Sequence, residues 1–103
     1  MPLDEYEDYE EFDDEVAPEG NRLVGATAKA VLAYLAKSIA DNPDEVRVDL
    51  IEGHNNIVLE LRAAPEDVGR IIGKSGRVAS ALRQLVKAAA HLDGVQATVD
   101  IID

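Results

Sequence analysis

Gly73-Lys74-Ser75-Gly76 interrupts two runs of helical periodicity, and no other stretch limits so sharply what the chain can become. Before it, Pro65 to Ile72 opens with proline at a first helical position, followed by Glu66 and Asp67, which complement the helix dipole. After it, Val78, Ala81, Leu82, Leu85, Val86 and Ala89 recur at the spacing of one helix face through to about His91, where Asp93-Gly94 ends the run. Two helices joined by so few residues must meet at a sharp corner. Gly73 and Gly76 lack a Cβ, so the backbone can turn there and an anionic group can approach the main chain closely. The corner also opens the second helix, whose first amides have no intrahelical partner and attract anions. A helix-turn-helix corner that merely needs glycine is the structural alternative.

The same string contains Gly-Lys-Ser, the end of a nucleotide-binding P-loop, but the spacing fails. That motif needs four residues between its first glycine and the Gly-Lys-Ser. Only Arg70, Ile71 and Ile72 separate Gly69 from Gly73. A P-loop also follows a strand directly, whereas Pro65 to Ile72 reads as a short helix.

Upstream, Ala28, Val31, Leu32, Leu35 and Ile39 share a helical face from about Ala26, and Asn42-Pro43 stops that helix. Val46, Val48 and Leu50 then alternate with Arg47 and Asp49, and after Gly53-His54-Asn55-Asn56 the alternation resumes as Ile57, Leu59 and Leu61. This is a hairpin. A last strand follows the longest helix, with Val95, Ala97, Val99 and Ile101 on one face. The order α-β-β-α-α-β predicts an α+β domain in which three helices cover one face of a three-stranded sheet.

At 103 residues the chain has room for one small domain. It has no Cys, which excludes disulfides and thiolate metal sites and suits a reducing, cytoplasmic setting, and no apolar run is long enough to span a bilayer. The formal charge of −11 would argue against a nucleic-acid partner if it were spread evenly. It is not. Ten of the 21 acidic side chains fall in the first 20 residues, which hold no base, and the remaining 83 residues are nearly neutral. Residues 68–92 carry Arg70, Lys74, Arg77, Arg83 and Lys87 with no acid among them, a basic footprint around the glycine corner. Residues 1–21 read as an acidic disordered tail and residues 22–103 as the folded domain. His54 in a hairpin turn and His91 near a helix end have adequate structural explanations, so the expectation is a protein that is not an enzyme and needs no metal or cofactor.

From Ile57 to Ile102 the order strand, helix, Gly-x-x-Gly, helix, strand resembles the minimal KH motif, and the extra helix and strand before it resemble the type II KH topology. The blocks Asp41-Asn42-Pro43-Asp44-Glu45-Val46, Ala64-Pro65-Glu66-Asp67-Val68-Gly69 and Arg70-Ile71-Ile72-Gly73-Lys74-Ser75-Gly76-Arg77 are similar to those of the small single-KH bacterial RNA-binding proteins of the KhpA family. The resemblance implies single-stranded RNA binding with low sequence specificity, as an RNA chaperone or post-transcriptional regulator. It further implies a homodimer or a heterodimer with a KhpB-like KH protein, in work linked to cell elongation and division. A Gly-x-x-Gly loop in this module clamps a few nucleotides. The candidate RNA-binding residues are Arg70, Ile71, Ile72, Gly73, Lys74, Ser75, Gly76 and Arg77. Of these, Ile71 and Ile72 follow Val68 by three and four residues, so at least one must face the core while the other can edge a base-binding groove. The rival reading is a protein-interaction scaffold whose RNA contact is incidental or masked by the tail. Tyr6, Tyr9 and Phe12 recur among tail carboxylates and combine charge with flat rings, as a single-stranded nucleic acid does. That tail is a departure from the family pattern.

Overall fold

The computed structural model describes residues 24–102, so the acidic segment expected over 1–21 and the domain start expected at residue 22 lie outside the described residues. Helix α1 (Ala26–Ile39) leads through a single 3₁₀ turn into strands β1 (Arg47–Glu52) and β2 (Asn56–Arg62). Helices α2 (Pro65–Ile72) and α3 (Arg77–Leu92) follow, and strand β3 (Gln96–Ile102) closes the domain. This is the α-β-β-α-α-β order that the sequence predicts.

The sheet runs β1-β2-β3, with β1 antiparallel and β3 parallel to the central strand. The hairpin loop places Asn55 at φ 66, and Gly53 N donates to Asn56 O at 2.7 Å. Alternation then decides which face is covered. Ile57, Leu59 and Leu61 are fully buried beneath the helices, where each contributes about 1.5–3 kcal/mol. Val48 and Leu50 flank them from β1 and Ala97, Val99 and Ile101 from β3. The opposite face holds Asp49, Glu60 and Asp100 in one row across all three strands.

Helix α3 is rotated relative to the expected stripe. Ala79, Leu82, Val86, Ala89 and Ala90 are buried, whereas Ala81 is exposed and Leu85 is 52% exposed. Alanine and leucine surround so much of this helix that its periodicity allows more than one phase. Packing on α1 selects the alanine-rich one. Ala28 and Ala36 are buried on α1 as well, and small side chains on both helices permit close approach.

Two carboxylates secure α1 from outside. Gly25, its N-cap, has no side chain to offer, and a Cβ there would lie 2.4 Å from Ile57 Cδ1. Asp93 at the end of α3 substitutes, accepting from Thr27 N at 3.1 Å and Ala28 N at 3.3 Å. At the other end Asp67, the sole buried charged residue among those described, accepts from Asp41 N at 3.0 Å and Asn42 N at 2.9 Å. Asn42 Nδ2 adds a third bond at 3.1 Å. Burial alone would raise the Asp67 pKa, but these bonds and the nearby Arg70 charge outweigh it and hold the carboxyl below its ordinary value of 3.8.

A depressed folded-state pKa means that the Asp67 contribution is complete above the ordinary carboxylate value and is lost as pH falls through the folded value. Asp67→Asn is therefore expected to lower Tm at neutral pH, with the gap from the native chain narrowing in acid, as followed by thermal melts at about pH 7 and about pH 3. A gap that stays constant, or no gap, would contradict this role.

Candidate nucleic-acid interface

The corner between α2 and α3 is built from an unusual run of backbone. Gly73, Ser75 and Gly76 adopt φ of 77°, 56° and 72°. Positive φ is uncommon for a side-chain-bearing residue, so Ser75 marks stored strain of the sort found at binding sites. Gly73 N donates to Gly69 O at 2.8 Å and closes α2, and Gly76 N donates to Gly73 O at 3.1 Å within the turn.

The two glycines are required for different reasons. A Cβ on Gly73 would fall 2.4 Å from Val78 Cγ2 and 2.8 Å from Val78 N, so the start of α3 packs where a side chain would be. A Cβ on Gly76 would meet none of the described residues within 4 Å. Gly76 thus needs only its left-handed backbone, and its surroundings remain open to an incoming group. It is also the N-cap of α3 and supplies no side-chain acceptor, and the first turn of α3 contains no acid. The positive end of a 16-residue helix faces outward here with no compensating carboxylate in its own first turn.

The candidate side chains divide around this turn. Lys74 and Ser75 are exposed at its tip, and Arg77 is exposed just after it. Ile71 has no exposed surface and belongs to the core, which removes its side chain from direct contact with a ligand. Ile72 is half-buried beside the turn, as is Val78. Arg70 points back toward the end of α1, its Nη2 2.9 Å from Asp41 Oδ2 in an exposed ion pair. An exposed pair of this kind contributes little and opens readily.

Beyond the turn, α3 carries a polar face that the motif alone does not reveal. Arg77, Ser80, Gln84, Lys87 and His91 follow one another at helical spacing and are all exposed. Arg83, beside this row, donates from Nε to Val99 O at 3.3 Å on the outer edge of β3. A groove of about 480 Å³ lies between this face and β3, lined in part by Lys87, His91, Gln96 and Thr98. A hollow of about 200 Å³ bounded by Arg83, Lys87, Thr98 and Val99 adjoins it. The absence of acids over residues 68–92 is the signal for this extension. The groove itself depends on β3, which no local pattern places beside α3.

The two sides of the domain differ in charge. The open sheet face presents Asp49, Glu60 and Asp100 in a row, with Arg62 3.0 Å from Asp49 and 3.5 Å from Glu60. Among the described residues no ion pair involves Lys74, Arg77, Arg83 or Lys87. Arg47 lies on the same face, so the sheet balances three carboxylates against two arginines. The turn and α3 present cations with no acid between residues 68 and 92 and are the side that attracts a polyanion.

The KhpA/KhpB KH-domain family model matches residues 29–101. A protein of Caldanaerobacter subterraneus subsp. tengcongensis named RNA-binding protein KhpA is 53% identical over 68 residues, covering 66% of this chain and 91% of that relative. The RNA-binding protein KhpA of Clostridium acetobutylicum is 49% identical over 74 residues, 72% of this chain and 99% of the relative. That of Leifsonia xyli subsp. xyli is 50% identical over 72 residues, 70% of this chain and 92% of the relative. The matched family region begins after the acidic N-terminal segment.

The two glycines should respond differently to one methyl group. Gly73→Ala is expected to lower stability by more than the ~1 kcal/mol of left-handed strain, because Val78 and the start of α3 must move. Gly76→Ala should cost about 1 kcal/mol and keep the fold. Urea denaturation of both variants checks this, and equal losses would contradict it.

Proposed function

Because the chain belongs to the KhpA/KhpB KH-domain family, we propose that it binds single-stranded RNA through the Gly73–Gly76 turn and the adjoining basic face of α3, as a cytoplasmic RNA chaperone or post-transcriptional regulator. The observation that carries this reading is the turn itself. Three positive-φ residues open a helix with no cap or first-turn acid, on the side of the domain away from the carboxylate row. Gly73 and Gly76 let a phosphate backbone approach main-chain amides, Lys74 adds charge, and Ser75 offers a hydroxyl. Arg77 contacts a neighbouring phosphate, and Arg70 joins it by exchanging Asp41 for the RNA. Ile72 and Val78 provide the apolar edge against which a base rests.

None of these contacts requires a particular base, so selectivity is low and the interaction is mainly electrostatic. A single domain of this type covers about four nucleotides, and its affinity falls steeply with salt. Two linked copies bind a longer strand through avidity.

A surface suited to pairing is present on α3. Ala81, Leu85, Ala88 and Leu92 form an exposed row at helical spacing, with Leu85 at 52% and Leu92 at 82% exposure. We read this row as the contact with a second copy or with a KhpB-like KH protein. An apolar stripe beside the basic face brings two RNA-binding turns into one assembly, and removes leucine surface from water.

The RNA reading is tested by fluorescence anisotropy with short single-stranded RNA and Lys74→Asp/Ser75→Asp, after circular dichroism shows native and variant folded alike. Binding is expected to weaken by at least about tenfold, because acids replace the charge at the turn without entering the core. Equal binding moves the RNA site elsewhere, and no binding by either chain favours an interaction scaffold or a site masked by the acidic segment. For pairing, analytical ultracentrifugation should find self-association in the native chain and its loss in Leu85→Lys/Leu92→Lys. A native chain that is monomeric throughout the micromolar range would refute the self-pairing contact.

A further inference from the structure

We infer that the acidic N-terminal segment docks in cis along the basic face of α3 and its groove with β3, where it competes with RNA. This inference deepens the proposed function and rests on its RNA reading for the competition, though not for the docking. Three observations carry it. The first is where the segment joins the domain. Asp93, just past α3, binds Thr27 N and Ala28 N at 3.1 and 3.3 Å, so the start of α1 sits at the C-terminal end of α3. Val24, where the described chain begins, therefore lies at the end of the domain that carries His91 and not at the glycine turn. It sits on the α1–β1 side with Leu50 and Glu52, so the segment must cross that end to reach the groove.

The second is reach. The groove side of α3 extends about 24 Å over its 16 residues. Glu15 is nine residues before Val24, a span of up to about 30 Å when extended, so the dense carboxylates from Asp4 to Glu15 can cover the face from His91 to Lys74. The third is complementarity. The segment has ten acids and no base in its first 20 residues, and the α3 face has Lys74, Arg77, Arg83 and Lys87 with no acid over residues 68–92. Tyr6, Tyr9 and Phe12 add rings that can lie against the arginine guanidinium groups, as bases do. Covalent attachment gives the segment an effective concentration in the millimolar range, enough to compete with a weak RNA site. The open sheet face, where Arg47 and Arg62 lie among three carboxylates, offers the segment no comparable acid-free surface.

The test compares the full native chain with a full-length variant whose tail carboxylates from Asp4 to Glu15 are changed to Asn and Gln. Amide NMR spectra without RNA are recorded at about 20 mM and about 500 mM salt, where screening differs strongly. The inference expects differences along Arg77 to His91 and Gln96 to Val99 at low salt that vanish at high salt. A nitroxide on Glu10→Cys, the sole thiol in that chain, should broaden the same amides. Superimposable spectra at low salt, or changes confined to the separate pocket of about 720 Å³ between α1 and β1, would overturn it. Titration with an eight-nucleotide oligouridylate should then bind the neutralised chain about tenfold tighter than the native at low salt, and equally at high salt. Tighter binding without amide differences indicates overall charge repulsion and overturns docking. Amide differences with no RNA binding by either chain keep the docking and refute the RNA reading.

Discussion

The contact between Gly73 and Val78 sets the geometry on which the rest of the binding surface depends. Val78 occupies the space a side chain at residue 73 would need, with its Cγ2 2.4 Å from a Cβ placed there. The chain turns through positive-φ conformations at Gly73, Ser75 and Gly76 and restarts at once as α3. Ile71, fully buried just before the turn, anchors α2 from the other side. Between a buried isoleucine and a half-buried valine, the turn has little freedom to slide, and Lys74 and Ser75 are held outward at its tip. In the proposed function this packing sets the shape of the turn before any ligand arrives, which lowers the ordering cost of binding.

The position of that turn in the domain is fixed by two aspartates acting at long range. Asp67 draws the residues after α1 onto the first turn of α2, and Asp93 draws the first turn of α1 onto the end of α3. The three helices become a closed set resting on one sheet face, and α3 is left with three distinct sides. One is buried, one carries the cations, and one exposes Leu85 and Leu92. The difference in charge between the two faces follows from the same packing, with Arg47 and Arg62 only partly offsetting the sheet carboxylates. Strand alternation sends Asp49, Glu60 and Asp100 to the open sheet face, away from the turn. An acidic protein can in this way still offer a polyanion an attractive surface.

Much of this was legible in the sequence because the signals are local. Period-two alternation marked all three strands, proline and glycine marked the helix ends, and the run of residues without acids from 68 to 92 marked the basic side. What escaped depends on residues distant in the chain. Asp67 reads locally as an ordinary first-turn acid, and only the approach of Asp41 and Asn42, some 25 residues earlier, makes it a buried anchor. Asp93 reads as a helix stop, yet it caps a helix 65 residues upstream. Arg70 reads as a cation flanking the loop, but Asp41 holds it in an ion pair. The phase of α3 escaped for another reason. With apolar side chains around most of its circumference, periodicity cannot choose between Ala79–Ala90 and Ala81–Leu85 as the covered side, and packing on α1 makes the choice.

The most direct test of the account is a residue-resolved titration, in which amide chemical shifts of the native chain are followed as a short single-stranded RNA is added at low salt. Gly73 to Arg77 should respond at the lowest RNA concentrations, followed by the exposed side of α3 and the edge of β3, with Asp49, Glu60 and Asp100 unmoved. Shifts centred on the sheet face, or binding that leaves Gly73 to Arg77 unchanged, would contradict it.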